Sequence, residues 1–125
     1  MPPVSDERHF TAETLGDVLY VVPLCDVTGI DQDAVQADVA GLLAMLADAA
    51  VRHVVVDFRE VDYFGSAMLE TMLTLWRQAR GRGGRLAVCH LSNAARELLA
   101  TVKFDTLWPI AADRDEALRA VRDGK

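Results

Sequence analysis

Apolar and polar positions change rhythm several times along this chain, and each change marks an element. Residues 9–13 and 18–25 are short β-like runs parted by Leu15-Gly16-Asp17, a spacing that predicts a hairpin. Over 31–50 the apolar residues Val35, Val39, Leu42, Leu43 and Leu46 recur at the helical period, and Asp31 and Asp33 complement the positive end of the helix dipole. Residues 51–58 form a continuous apolar run around Val54, Val55 and Val56, the pattern of a strand covered on both faces. Ser66–Arg80 returns to the helical period, with Leu69, Met72, Leu73 and Trp76 as the expected buried stripe and Glu70, Thr74, Arg77 and Gln78 left polar.

Gly81-Arg82-Gly83-Gly84 ends that helix. Beyond it, residues 85–91 read as a buried strand, 93–102 as a short helix, 107–110 as a brief strand and 113–121 as a closing helix, in which Asp113 and Glu116 have capping-box spacing. The order β-β-α-β-α-β-α-β-α predicts an α/β fold: a mixed sheet of about five strands, antiparallel at its N-terminal pair, with about four helices packed against it. Residues 1–125 are read as a single domain, because a hydrophobic content of 51% supplies a core without staples and no repeat, linker or low-complexity segment interrupts it.

Charge narrows the function. The chain has 13 Lys and Arg against 19 Asp and Glu, a net −6, and no basic run long enough to line up on phosphates, so nucleic acid is not an expected partner. Cys25 and Cys89 sit in apolar runs and read as small buried hydrophobes in a reducing compartment rather than as a disulfide. The N-terminus has no basic stretch followed by an apolar one. Nor does any segment reach the ~20 apolar residues that span a bilayer, since Asp48 interrupts the longest candidate. A cytoplasmic location without membrane insertion is the expectation.

Candidate chemistry is sparse. Gly81, Gly83 and Gly84 follow a helix and precede a strand, the reverse of a phosphate-cradling loop, and read as a helix cap and tight turn. Cys89 and His90 are neighbours on a predicted strand, so their side chains are expected on opposite faces and not as a nucleophile–base pair. His9 and His53 show no metal-ligand spacing. No metal, cofactor or catalytic set is therefore expected. Asp57 ends a buried strand as a phospho-accepting aspartate does, but Val22-Pro23-Leu24 lacks the acidic pair such a site needs. Trp76 and Trp108 are expected in the core, with an exposed edge of either as an alternative anchor for a partner.

The most informative stretch is Val54-Val55-Val56-Asp57-Phe58-Arg59-Glu60-Val61-Asp62-Tyr63-Phe64-Gly65-Ser66-Ala67-Met68-Leu69: a buried strand, a polar turn, and a Gly-Ser pair opening an amphipathic helix. This resembles the STAS domain, with Asp57, Val61, Asp62, Tyr63 and Leu69 on matching positions. The hairpin start, Gly83-Gly84-Arg85-Leu86 and Phe104-Asp105-Thr106-Leu107 extend the likeness over nearly the whole chain. Gly65-Ser66-Ala67-Met68 stands where the family has Asp-Ser-Ser-Gly, so the serine phosphorylated in the best-known members falls on Ala67 and the first serine on Ser66.

The resemblance implies a non-enzymatic module of the anti-sigma factor antagonist type. It would dock on an anti-sigma factor or a serine kinase of the switch-protein type through Asp57, Asp62, Tyr63, Phe64, Gly65, Ser66, Ala67 and Met68. Phosphorylation of Ser66 would cancel docking and a serine phosphatase would restore it, ATP belonging to the kinase. The residues alone leave two roles open for Ser66. A phosphate at a helix start would meet unpaired N–H groups and the positive dipole end, or the hydroxyl is an N-cap worth about 1 kcal/mol. Loss of Asp-Ser-Ser-Gly favours the alternative, a constitutive scaffold or adaptor in a sensory or transport assembly.

Overall fold

The computed structural model describes residues 9–27 and 31–123; residues 1–8, on which the expectation about a secretory signal rests, lie outside them. β1 (Phe10–Leu15) and β2 (Val18–Pro23) pair antiparallel, and β3 (His53–Asp57), β4 (Leu86–Cys89) and β5 (Ile110–Ala111) follow in parallel, in the order β1-β2-β3-β4-β5. The helices are α1 (Gln32–Leu46), α2 (Ser66–Arg80), α3 (Asn93–Thr101) and α4 (Arg114–Asp123). This is the mixed sheet that the element order predicts. Leu15 pairs directly with Val18, so the hairpin turn is Gly16-Asp17, and Gly16 takes φ 63°, a conformation L side chains resist. Among the described residues no helix is long and apolar enough to cross a membrane.

Strand alternation divides the core in two. Leu19, Val21, Val54, Val56, Leu86 and Val88 pack with α1, α2 and α3, while Val18, Tyr20, Val22, Val55, Ala87 and Cys89 pack with α4. Small residues on both sides of the second layer, Ala87 and Ala111 against Ala117 and Ala120, let α4 lie close to the sheet. Half of the expected capping box forms, since the Glu116 N–H donates to Asp113 Oδ1 at 2.9 Å, while Glu116 Oε1 reaches one residue further back and accepts from the Ala112 N–H at 2.8 Å.

Several boundaries differ from the sequence reading, each for a local reason. α1 stops at Leu46 rather than 50, because Arg82 donates to the Leu46 and Asp48 carbonyls and Asp48 Oδ1 accepts from the Ala50 N–H at 2.9 Å. The glycine loop thus supplies the cap of another helix. β4 ends at Cys89 because His90 adopts φ 57°. The brief strand expected at 107–110 falls instead at Ile110–Ala111, after a 3₁₀ turn at Phe104–Thr106. α2 has the expected bounds, but its buried row is Met68, Thr71, Met72, Leu75 and Ala79; Leu69, Leu73 and Trp76 are only half-buried. Thr71 is accommodated by donating to the Ala67 carbonyl at 3.0 Å. Cys25 lies beyond β2 and is half-buried rather than a core strand residue, whereas Cys89 is buried; both are free thiols. Trp108 is buried and meets the half-buried Trp76 edge-on, with ring centroids 6.3 Å apart.

His53 gives the fold a pH dependence. It is buried at the start of β3, its Nδ1 accepts from the Arg85 N–H at 3.0 Å, and Nε2 lies 3.5 Å from Asp17 Oδ2. Burial lowers its pKa, and the nearby Asp17 carboxylate only partly opposes that. The folded protein therefore holds a neutral ring. As pH falls below the ordinary histidine value of about 6.5, the unfolded chain takes up a proton that the folded chain resists, so stability falls by at most about 1.4 kcal/mol per pH unit from this group. Urea titrations at pH 7.5 and 5.5 should show wild type losing stability on acidification and His53→Asn, which keeps an acceptor but does not titrate, losing less. Equal losses would show that His53 is not the group responsible.

Candidate functional site

β3 carries the chain to the carboxyl edge of the sheet at Asp57, and residues 58–65 then cross to α2. Hydrophobic spacing shapes this crossing. Phe58, Val61 and Phe64 are buried, with the Phe58 and Phe64 rings stacked 4.6 Å apart, and the positions between them, Arg59, Glu60, Asp62 and Tyr63, are pushed outward. The Val61 N–H closes a turn onto the Phe58 carbonyl at 3.0 Å. Ser92, the N-cap of α3, donates its hydroxyl to the Asp62 carbonyl while accepting from the Ala95 N–H at 3.1 Å, so the loop is tied to a second helix start. The Gly65 N–H donates to Asp26 Oδ1 at 3.3 Å.

Gly65, extended at φ −111°, is the N-cap of α2 and has no side chain with which to cap it. Ser66 is the first helical residue and is exposed, so the reading of Ser66 as an N-cap is corrected: glycine holds that place. Among the residues expected at a contact surface, Asp62, Tyr63 and Ser66 are exposed and Gly65 and Ala67 half-buried. Tyr63 is 55% exposed, a large aromatic ring held outward beside Phe64. Asp57, Phe64 and Met68 are completely buried and cannot touch a docked partner. Strand alternation sends Asp57 to the α4 side, and the apolar rings of the loop pull Phe64 under it; these residues act on the surface from beneath. Beside Ala67, a cleft of about 300 Å³ runs between α1 and α2, lined by Val35, Val39, Leu43, Glu70 and Thr74.

Asp57 is the centre of a buried polar group that sequence spacing did not reveal. The Tyr20 hydroxyl donates to Asp57 Oδ2 at 2.5 Å, the Arg59 N–H to Oδ1 at 2.9 Å, and the Arg59 guanidinium reaches Oδ2 at 3.3 Å. Burial, then the bond to Asp57, holds the Tyr20 pKa well above the usual tyrosine value, so the hydroxyl stays a donor. Cys89 Sγ lies 3.8 Å from the Tyr20 oxygen, and burial, then Asp57, pushes its thiol up to about 12. The expectation that Cys89 and His90 point to opposite faces is overturned. With His90 at φ 57°, its ring nitrogen, Cys89 Sγ and an Asp57 oxygen all lie within 4.8 Å of one another. The thiol is nonetheless no nucleophile at neutral pH, being wholly buried and protonated. The signal available in the sequence was the pairing of two strand ends, Asp57 opposite Cys89.

The family model described as "Mlab, STAS domain" matches residues 26–110. The candidate anti-sigma factor antagonist BtrV of Bordetella bronchiseptica is 34% identical over 80 residues, covering 64% of this chain and 69% of that protein. Among solved structures, an anti-sigma-factor antagonist (STAS) domain protein from Planctomyces limnophilus superposes with a TM-score of 0.73 at 25% identity, over 89% of this chain and 96% of that one. The Bacillus cell fate determinant SpoIIAA in its phosphorylated form gives 0.66 at 18% identity, over 87% and 96%, a likeness of fold alone. With the matched segment spanning the strand, loop and helix that build the site, this chain belongs to the STAS domain family and has the fold of the anti-sigma factor antagonists.

Proposed function

We propose that this chain is a cytoplasmic docking module that binds an anti-sigma factor or a serine kinase of the switch-protein type, and that phosphorylation of Ser66 cancels the docking. The observation that carries the reading is the start of α2: Ser66 is exposed at the first helical position, with a glycine cap beneath it and Tyr63 exposed beside it. A phosphoryl group there would meet the free N–H groups of the first turn, so the helix tolerates the modification. It would also add about −1.5 to −2 charges at the helix end where the Asp26 carboxylate already accepts from Gly65. That repulsion bears on the anchored loop, so modification alters both the charge and the shape a partner meets. Each tenfold loss of affinity requires only about 1.4 kcal/mol of discrimination. The two free thiols and the need for an ATP-dependent kinase and a phosphatase agree with a cytoplasmic setting. No catalytic role is assigned to the chain itself.

A second reading, a constitutive adaptor in a sensory or transport assembly, is favoured by one observation: Ala67 stands where the family's second serine belongs. Intact-mass and peptide-mapping spectrometry after incubation with ATP and an extract of the source organism separates the two. A phosphate on Ser66, lost in Ser66→Ala, is expected, and Ser66→Glu should bind the partner at least about tenfold more weakly than wild type. No phosphate under conditions that modify a control STAS protein would leave the constitutive adaptor as the function.

A further inference from the structure

We propose that Asp57, Cys89 and His90 form a binding site for a thiophilic divalent cation of the Zn²⁺ class at the carboxyl edge of the sheet. Three different donor types converge there, an oxygen, a sulfur and a ring nitrogen, all within 4.8 Å of one another. Thiolate, imidazole and carboxylate are the ligands Zn²⁺ takes, and three protein donors leave a fourth tetrahedral position for water or a further ligand.

The fold places two of these donors rigidly. Asp57 and Cys89 are register partners at the ends of β3 and β4, and both side chains are completely buried on the α4 side. The third is adjustable. His90 is exposed, and its left-handed backbone brings the ring over to the side of its neighbour instead of the opposite face. Because Asp57 and Cys89 are wholly buried, a cation reaches them from the His90 side as Arg59 swings away, and it replaces the proton of the Cys89 thiol, which is released to solvent, with His90 closing over it.

The surroundings also fit. The Tyr20 hydroxyl, which donates to Asp57 Oδ2 at 2.5 Å, is the outer-sphere hydrogen bond that orients a ligating carboxylate. The competitor is Arg59, whose guanidinium lies 3.3 Å from the same oxygen; its side chain is 52% exposed and can swing into solvent when a cation replaces it. The inference does not depend on phosphorylation of Ser66.

The test is titration of the full, reduced chain with Co²⁺ as a spectroscopic probe and with Zn²⁺ in competition. Stoichiometric binding is expected, with an intense thiolate-to-cobalt absorption band and tetrahedral visible bands, all displaced by Zn²⁺. Cys89→Ser should lose the thiolate band, and Cys25→Ser should keep it. His90→Ala alters an exposed side chain and stays folded by circular dichroism; it should bind at least about tenfold more weakly. Arg59→Ala removes the competing cation and should bind more tightly than wild type. The proposal is overturned if wild type binds no stoichiometric Co²⁺ or Zn²⁺, if folded His90→Ala binds as well as wild type, or if the band follows Cys25 instead.

Discussion

Gly84→Ala is expected to destabilise the fold by about 3–5 kcal/mol and to lower Tm by roughly 10–20 °C. A Cβ at this position would lie 1.7 Å from the Arg52 carbonyl oxygen and 2.6 Å from its carbon. Both are main-chain atoms at the entrance to β3, and Arg52 and His53 donate their N–H groups to the Asp17 carbonyl at 2.8 and 3.0 Å. Relief therefore requires moving β3 against the hairpin or moving the loop, whose Gly84 N–H is bonded to the Ala79 carbonyl at 2.8 Å. Gly41→Ala is the control. It lies within α1 with nothing within 4 Å of the added Cβ, so it should stabilise by about 0.5–1 kcal/mol through helix propensity. Urea and thermal melts of both variants measure the contrast. A Gly84→Ala protein within about 1 kcal/mol of wild type would mean that the close approach to Arg52 is not maintained in solution.

The same loop shows what was and was not legible in the sequence. Its glycines read correctly as the end of α2 and a turn, because Gly and Pro punctuate local structure by their own conformational limits. Nothing local announces that Gly84 must pass under Arg52, or that Arg82 caps α1, since both contacts span more than 30 residues. The bounds of α2 were readable because a Gly-Ser pair opens it and a glycine run closes it. Its buried row was not, because two adjacent rows, Met68-Met72-Leu75-Ala79 and Leu69-Leu73-Trp76, are both apolar and only the sheet decides between them.

The site divides in the same way. The strand, turn and helix around Ser66 carry a local pattern, and the loop lies where that pattern puts it. The expected contact list mixed two populations that a linear reading cannot separate: residues that face outward, such as Tyr63, and residues that hold the loop from below, such as Phe64 and Asp57. Tyr20 lies 37 residues from Asp57, so their bond is visible only once β2 and β3 are adjacent. Cys89 and His90 share a side because the backbone leaves strand geometry at His90, at φ 57°, a change that the apolar run through 85–91 does not announce.

Tyr63 and Phe64, neighbours in sequence, should give opposite phenotypes when truncated. Tyr63→Ala removes an aromatic ring that is 55% exposed, so its stability should stay within about 0.5 kcal/mol of wild type. If the loop is the docking surface, the same change should weaken binding to the anti-sigma factor or kinase by roughly 30-fold, the effect of losing an aromatic hot spot worth about 2 kcal/mol. Phe64→Ala deletes a wholly buried ring stacked 4.6 Å from Phe58, and should cost about 3–5 kcal/mol in urea unfolding. Its binding defect should follow loss of loop order, because the exposed residues flanking it lose the buried support that turns them outward. Calorimetric titration of each folded variant against the partner, beside its urea melt, distinguishes a contact from a support. Full affinity in Tyr63→Ala would move the docking surface away from this loop, whereas a stable Phe64→Ala would remove the stacked pair as the reason the loop holds its shape.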